Sequence, residues 1–152
     1  MDSQNKIAIT RFSAEHIGQV AQIERDTFSE PWSEKSLTLL CTEEYPSFVL
    51  TNEKGEVFGY VSTAKALDEL QMINLAVRSD CRGRGFATRL LSALDEFCGE
   101  SAIESISLEV RESNTAAISL YERCGYERVG LRRGFYRLPT ENAVIMVKKQ
   151  KI

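Results

Sequence analysis

The segment Leu75-Ala76-Val77-Arg78-Ser79-Asp80-Cys81-Arg82-Gly83-Arg84-Gly85-Phe86-Ala87 passes from an apolar strand through a glycine-rich turn straight into an amphipathic helix. Such a turn aims successive backbone N–H groups at one point, where the positive end of the helix dipole adds its field. The segment therefore predicts a cradle for a phosphate or pyrophosphate. Arg78, Arg82, Arg84 and Arg89 cluster about it, offering the forked donors that phosphate oxygens accept from. No Gly-Lys-Ser/Thr follows, so it is not a P-loop, and the third glycine of the dinucleotide fingerprint is missing. Two glycines alone are more often the mark of a plain tight turn.

Other candidates lie on either side of this turn. The strand Leu75-Ala76-Val77 leads into the cradle, so a ligand anchored by its phosphates could lay an amide-bearing arm along the strand edge, with N–H groups near Val77 facing a carbonyl. A plain central strand is the competing reading. Ile106, Leu108 and Val110 alternate with Ser105, Ser107 and Glu109, which puts Glu109 on the polar face of a half-buried strand. There it is either a general base beside a cleft or a solvated carboxylate. Tyr121 stands in the stripe Ala117, Leu120, Tyr121, Cys124, as a proton donor or as a core aromatic.

The elements that must position these groups follow from periodicity. Ile7 to Ile9 reads as a short strand, and Ser13 caps a helix with Ile17, Val20, Ala21 and Phe28 on its apolar face. Pro31-Trp32-Ser33-Glu34 opens a second helix capped by Ser33, with Leu37 and Leu40 one turn apart. Phe48 to Leu50, the turn Asn52 to Gly55, and Val57 to Ala64 form a hairpin, followed by a strand from Leu70 to Val77. Ala87, Leu90, Leu91, Leu94, Phe97 and Cys98 make a helical stripe that Gly99 closes. After the strand bearing Glu109, Asn114 caps a helix ended by Gly125, and strands over Arg128 to Arg132 and Ala143 to Val147 complete the chain. The order β-α-α-β-β-β-α-β-α-β-β predicts an α/β (mixed α+β) fold, a mixed sheet with helices on both sides.

With 152 residues, 43% hydrophobic and 27% charged, the chain is expected to form one soluble domain over 1–152. A formal net charge of -3 argues against nonspecific nucleic-acid binding. Cys41, Cys81, Cys98 and Cys124 show no close pairing, and with one histidine, His16, neither a zinc site nor any other metal is expected. Met1 to Lys6 holds no apolar signal region and no apolar run reaches the length of a membrane span. A cytoplasmic monomer with reduced thiols is the expectation.

The spacing Arg82-x-x-Gly85-x-Ala87 directly after a strand resembles the [Gln/Arg]-x-x-Gly-x-[Gly/Ala] pyrophosphate loop of the GNAT acetyltransferases, which bind acetyl-coenzyme A. The run from Leu108-Glu109-Val110-Arg111 through Asn114 and Tyr121 to Gly125-Tyr126 is more specific. Together with Phe28-Ser29-Glu30-Pro31-Trp32-Ser33, Leu131-Arg132-Arg133-Gly134-Phe135-Tyr136 and Ala143-Val144-Ile145-Met146, it resembles the RimI-type ribosomal-protein-alanine N-acetyltransferases over nearly the whole chain. That resemblance implies the GNAT fold, a mixed and mostly antiparallel sheet of about seven strands flanked by about four helices. It implies that Glu109 is the general base, acting through water, and Tyr121 the general acid toward the coenzyme thiolate. Asn114 would contact the coenzyme, Leu75, Ala76 and Val77 would hold its pantetheine arm, and the amides of Arg82, Gly83, Arg84, Gly85, Phe86 and Ala87 its pyrophosphate. The reaction implied is direct acetyl transfer from acetyl-CoA to the N-terminal alanine of a small-subunit ribosomal protein. Transfer to a lysine or small amine, and a coenzyme-binding module without turnover, stand as alternatives.

Acid–base chemistry is compatible with an α-amine. Its reference pKa of about 7.7 to 8.0 leaves an appreciable neutral fraction near pH 7, whereas a lysine at about 10.4 is almost wholly protonated. A carboxylate base of ordinary pKa suits the former better. A tyrosine at about 10 would yield its proton to a thiolate of about 8.5 at a cost of roughly 2 kcal/mol. Against the family pattern, Arg82 replaces a common glutamine, Asn142 stands where an acidic residue is common, and the connection between Tyr136 and Ala143 is short.

Overall fold

A computed structural model describes residues 6–151. Seven strands form one sheet: β1 (Ala8–Arg11), β2 (Phe48–Thr51), β3 (Val57–Ala66), β4 (Glu69–Val77), β5 (Ser105–Arg111), β6 (Glu127–Tyr136) and β7 (Glu141–Lys149), in the order β1-β2-β3-β4-β5-β7-β6. Every neighbouring pair is antiparallel except β4 and β5. The helices are α1 (Ile17–Thr27), α2 (Glu34–Leu37), α3 (Phe86–Ser101) and α4 (Thr115–Arg123). The mixed sheet and the element order are those the periodicity predicts.

Alternation along the strands divides the apolar residues between two faces. Leu50, Phe58 and Val61 pack with Leu90, Leu91 and Leu94 of α3 and Ile118 of α4. Val49, Val57 and Tyr60 face Val20 and Ala21 of α1 and Leu37 and Leu40 beyond the Ser33 cap. Each fully buried leucine of α3 contributes on the order of 2 kcal/mol.

Three expectations are corrected. Gly99 does not close α3, which runs to Ser101 and ends at Ala102 in the left-handed conformation, its N–H donating to the Cys98 carbonyl. An exposed glycine inside a helix costs only about 1 kcal/mol against alanine, which the buried stripe outweighs. Phe28 is not on the stripe of α1: it is the first extended residue after the helix. The first strand starts at Ala8 rather than Ile7 and extends to Arg11.

β4 and β5 open the sheet. They pair only from Glu69, Leu70 and Gln71 to Ser105, Ile106 and Ser107. On its other side β4 stays paired with β3 but bulges at Ile73, between the pairs Thr63–Met72 and Ser62–Asn74. A bulge bends and twists its strand, and past it β4 leaves β5 unpaired. The Asn74 and Arg78 N–H groups point toward β3, to Ser62 Oγ (3.1 Å) and the Phe58 carbonyl (2.7 Å). Backbone groups alternate sides along a strand, so the N–H groups of Leu75 and Val77 face the opening.

A buried carboxylate braces one wall of that opening. Glu24 of α1, 1% exposed, accepts from the Trp32 N–H (2.7 Å), Asn74 Nδ2 (2.8 Å) and the Tyr60 hydroxyl. Burial first, and the neighbouring Glu24 second, push the Tyr60 phenol well above its ordinary pKa, so it remains a donor. Glu24→Leu strands three donors at once and is expected to lower the unfolding free energy by on the order of 3 kcal/mol. Urea denaturation checks this, and a loss below about 1 kcal/mol would show that the donors find water instead.

Candidate active site

The divergence of β4 and β5 creates a cleft of about 770 Å³. Leu75 from β4, Glu109 from β5, and Asn114, Ala117 and Tyr121 from the start and body of α4 line it, together with Phe28 and Trp32 from the α1–α2 connection. Four residues singled out in the sequence (Leu75, Glu109, Asn114 and Tyr121) thus meet in one space.

Glu109 points into the cleft because its neighbours Leu108 and Val110 are buried on the other face. Its side chain is 15% exposed. Oε2 accepts from Gln71 Nε2 at 2.6 Å, and Oε1 lies 3.5 Å from Arg132 Nε. Tyr121, 8% exposed, stands edge-on to Tyr126 at 5.6 Å between centroids. Burial, with smaller contributions from Tyr136 and Cys124, raises its phenol well above the ordinary range. The proton-transfer cost of roughly 2 kcal/mol for an unperturbed phenol is therefore too low, since each further unit adds about 1.4 kcal/mol.

Asn114 caps α4, its Oδ1 accepting from the Ala117 N–H at 3.1 Å, which leaves its amide N–H₂ for the cleft. Arg111 ties the rims together. It donates to Glu141 (3.2 Å), the Pro139 carbonyl (2.9 Å) and Ser29 Oγ (3.4 Å), and lies 4.4 Å over the Tyr136 ring. Ser113 and then Arg111 hold the Glu141 carboxyl below its usual range. Tyr136, on the same rim, is pushed up to about 12 by burial and then by Glu109.

The glycine turn lies outside the cleft lining, at the far end of the same open strand edge. Gly83 and Gly85 both have φ +78, and a Cβ on either would meet nothing within 4 Å. They are needed for the left-handed backbone rather than for a close approach. Gly85 is the N-cap of the 16-residue α3, so free N–H groups and the helix dipole converge on exposed space. This geometry fits a pyrophosphate.

Some side chains turn away. Phe86 is buried, stacked on Phe58 at 5.9 Å, and Ala76 packs beneath α1 and α2, so either can meet a ligand only through its backbone. Arg78 is committed to Asp80 (2.6 Å) and lies 4.8 Å over the Phe58 ring, which removes it from the expected arginine cluster. Arg82 bends back to the Val77 carbonyl (3.4 Å). Gln71 stands in an ordinary strand and Arg132 and Tyr136 in a family-like segment with no site role attached, and only the folded sheet brings the three to Glu109. Among the described residues no three His, Cys, Asp or Glu side chains group as metal ligands, and no helix is long and apolar enough to cross a membrane.

The model of the acetyltransferase (GNAT) family matches residues 17–126. The chain is 37% identical over 128 residues to the [ribosomal protein bS18]-alanine N-acetyltransferase of Escherichia coli (strain K12), covering 82% of this chain and 84% of that protein. Against the Haemophilus influenzae protein of the same name it is 33% identical over 141 residues, 91% and 95% of the two chains. The crystal structure of the ribosomal-protein-S18-alanine N-acetyltransferase from Escherichia coli superposes with a TM-score of 0.88 at 31% identity, covering 96% of this chain and 95% of that one.

Proposed function

Because the chain belongs to the GNAT acetyltransferases, and among them to the ribosomal-protein-alanine N-acetyltransferases, we propose that it acetylates the N-terminal alanine of ribosomal protein bS18. Acetyl-CoA, when bound, supplies an activated acyl carbon and a thiol leaving group. The amides of Arg82 to Ala87 hold its pyrophosphate, the open edge at Leu75 and Val77 its pantetheine amides, and Asn114 adds a side-chain contact. Glu109 takes a proton from the incoming amine through water. Tyr121 donates a hydrogen bond toward the sulfur. A ribosomal acceptor places the protein in the cytoplasm.

One observation carries this reading: a carboxylate and a buried phenol face one cleft at the open edge of the strand that leads into the glycine turn. The α-amine preference follows from the acceptor: an N-terminal amine is partly neutral near pH 7 and needs only modest help from a carboxylate, whereas a lysine is almost wholly protonated. An alanine-starting peptide matching the bS18 N-terminus is expected to be acetylated at least tenfold faster than the same peptide blocked at its α-amine but carrying a lysine. Mass spectrometry of both products decides, and faster modification of the blocked lysine peptide overturns the assignment.

A further inference from the structure

We infer that Gln71 is the positioning residue of the Glu109 carboxylate, locked in its donating orientation by Ser107. The inference rests on Glu109 being the base. In the short parallel stretch of β4 and β5, Gln71 pairs in register with Ser107, and Glu109 follows two residues later on the same face. Ser107 Oγ donates to Gln71 Oε1 at 2.8 Å, and Gln71 Nε2 donates to Glu109 Oε2 at 2.6 Å.

A side-chain amide has one accepting end and one donating end. With the hydroxyl at its oxygen, the amide must present N–H₂ to the carboxylate. Flipped, it would set its oxygen against a negative oxygen. The chain Ser107–Gln71–Glu109 thus gives the carboxylate one preferred rotamer. Gln71 lies in none of the family-like segments, and Ser107 enters the sequence pattern only as a polar position of the alternating strand.

The charged and titratable groups around Glu109 come from several elements. Arg132 of β6 is 3.5 Å from Oε1 and 57% exposed, so salt screens it. Tyr136 and Arg137 follow on that rim, Arg111 of β5 is bound to Glu141, Tyr121 belongs to α4, and Glu30 of the α1–α2 connection also lines the cleft. Glu69 lies two residues before Gln71 on β4, and β7 sets only Ile145 opposite Glu109. Gln71 is the neutral partner in this set, so its hold on Glu109 does not fade with ionic strength.

Steady-state kinetics of the full chain with an alanine-starting peptide test this, with acetyl-CoA affinity as the check on an intact groove. Gln71→Leu is expected to lower kcat by about tenfold at low and high salt alike, with KM for both substrates within about threefold of the parent. Ser107→Ala lowers kcat by less, Ser107→Thr keeps the hydroxyl and restores most of it, and Ser107→Ala adds nothing in the Gln71→Leu background. A kcat in Gln71→Leu within about twofold of the parent overturns the inference. Failure of Glu109 as base is told apart from this, since it would appear as full activity in Glu109→Gln.

Discussion

Glu109→Gln is expected to lower kcat/KM for an alanine-starting peptide by about 10²- to 10³-fold near pH 7, the lower part of what a positioned general base contributes. The substitution preserves shape, and the new amide oxygen can still accept from Gln71, so the open sheet edge and the coenzyme groove should be undisturbed. Circular dichroism and coenzyme affinity are therefore expected to match those of the parent. The loss shrinks as pH rises through the reference range of an α-amine, about 7.7 to 8.0, because a neutral amine needs less help from a base. A kcat/KM within threefold of the parent at pH 7 would remove Glu109 from the chemistry.

That prediction depends on a placement only partly legible in the sequence. Alternation of Ile106, Leu108 and Val110 with polar residues fixes the face of Glu109, and the 3.6-residue stripe fixes that of Tyr121, because both are local periodicities. The two glycines announce positive φ for the same local reason. Which groups surround the carboxylate is another matter. Gln71 and Arg132 lie 38 residues before and 23 after Glu109 (109 − 71 and 132 − 109), and they reach it through the parallel β4–β5 register and the outer position of β6. The bulge at Ile73, which opens the cleft, has no glycine or proline to announce it. Glu24 reads as a polar helix residue until Trp32, Tyr60 and Asn74 are folded around it. The arginine cluster about the glycine turn illustrates the opposite error, since nearness in sequence implied a shared ligand while Arg78 is already satisfied by Asp80.

Tyr121→Phe is expected to lower kcat by about 10²-fold, with KM for acetyl-CoA changing less than threefold. The ring sits in an apolar stripe, so phenylalanine keeps the packing against Tyr126 and stability should move by less than about 1 kcal/mol. The effect falls on kcat because the hydroxyl is needed when charge develops on sulfur, a demand absent from the ground state. The raised pKa of Tyr121 determines how it meets that demand. Full proton transfer from so weak an acid to a thiolate of about 8.5 would be steeply uphill, whereas a hydrogen bond donated in a site largely shielded from water stabilises the sulfur without surrendering the proton. The same burial keeps the phenol protonated through the alkaline range, so ionisation of Tyr121 should produce no fall in kcat up to about pH 10. A basic limb present in the parent near pH 9 and absent from Tyr121→Phe would refute this role, as would a kcat within twofold of the parent.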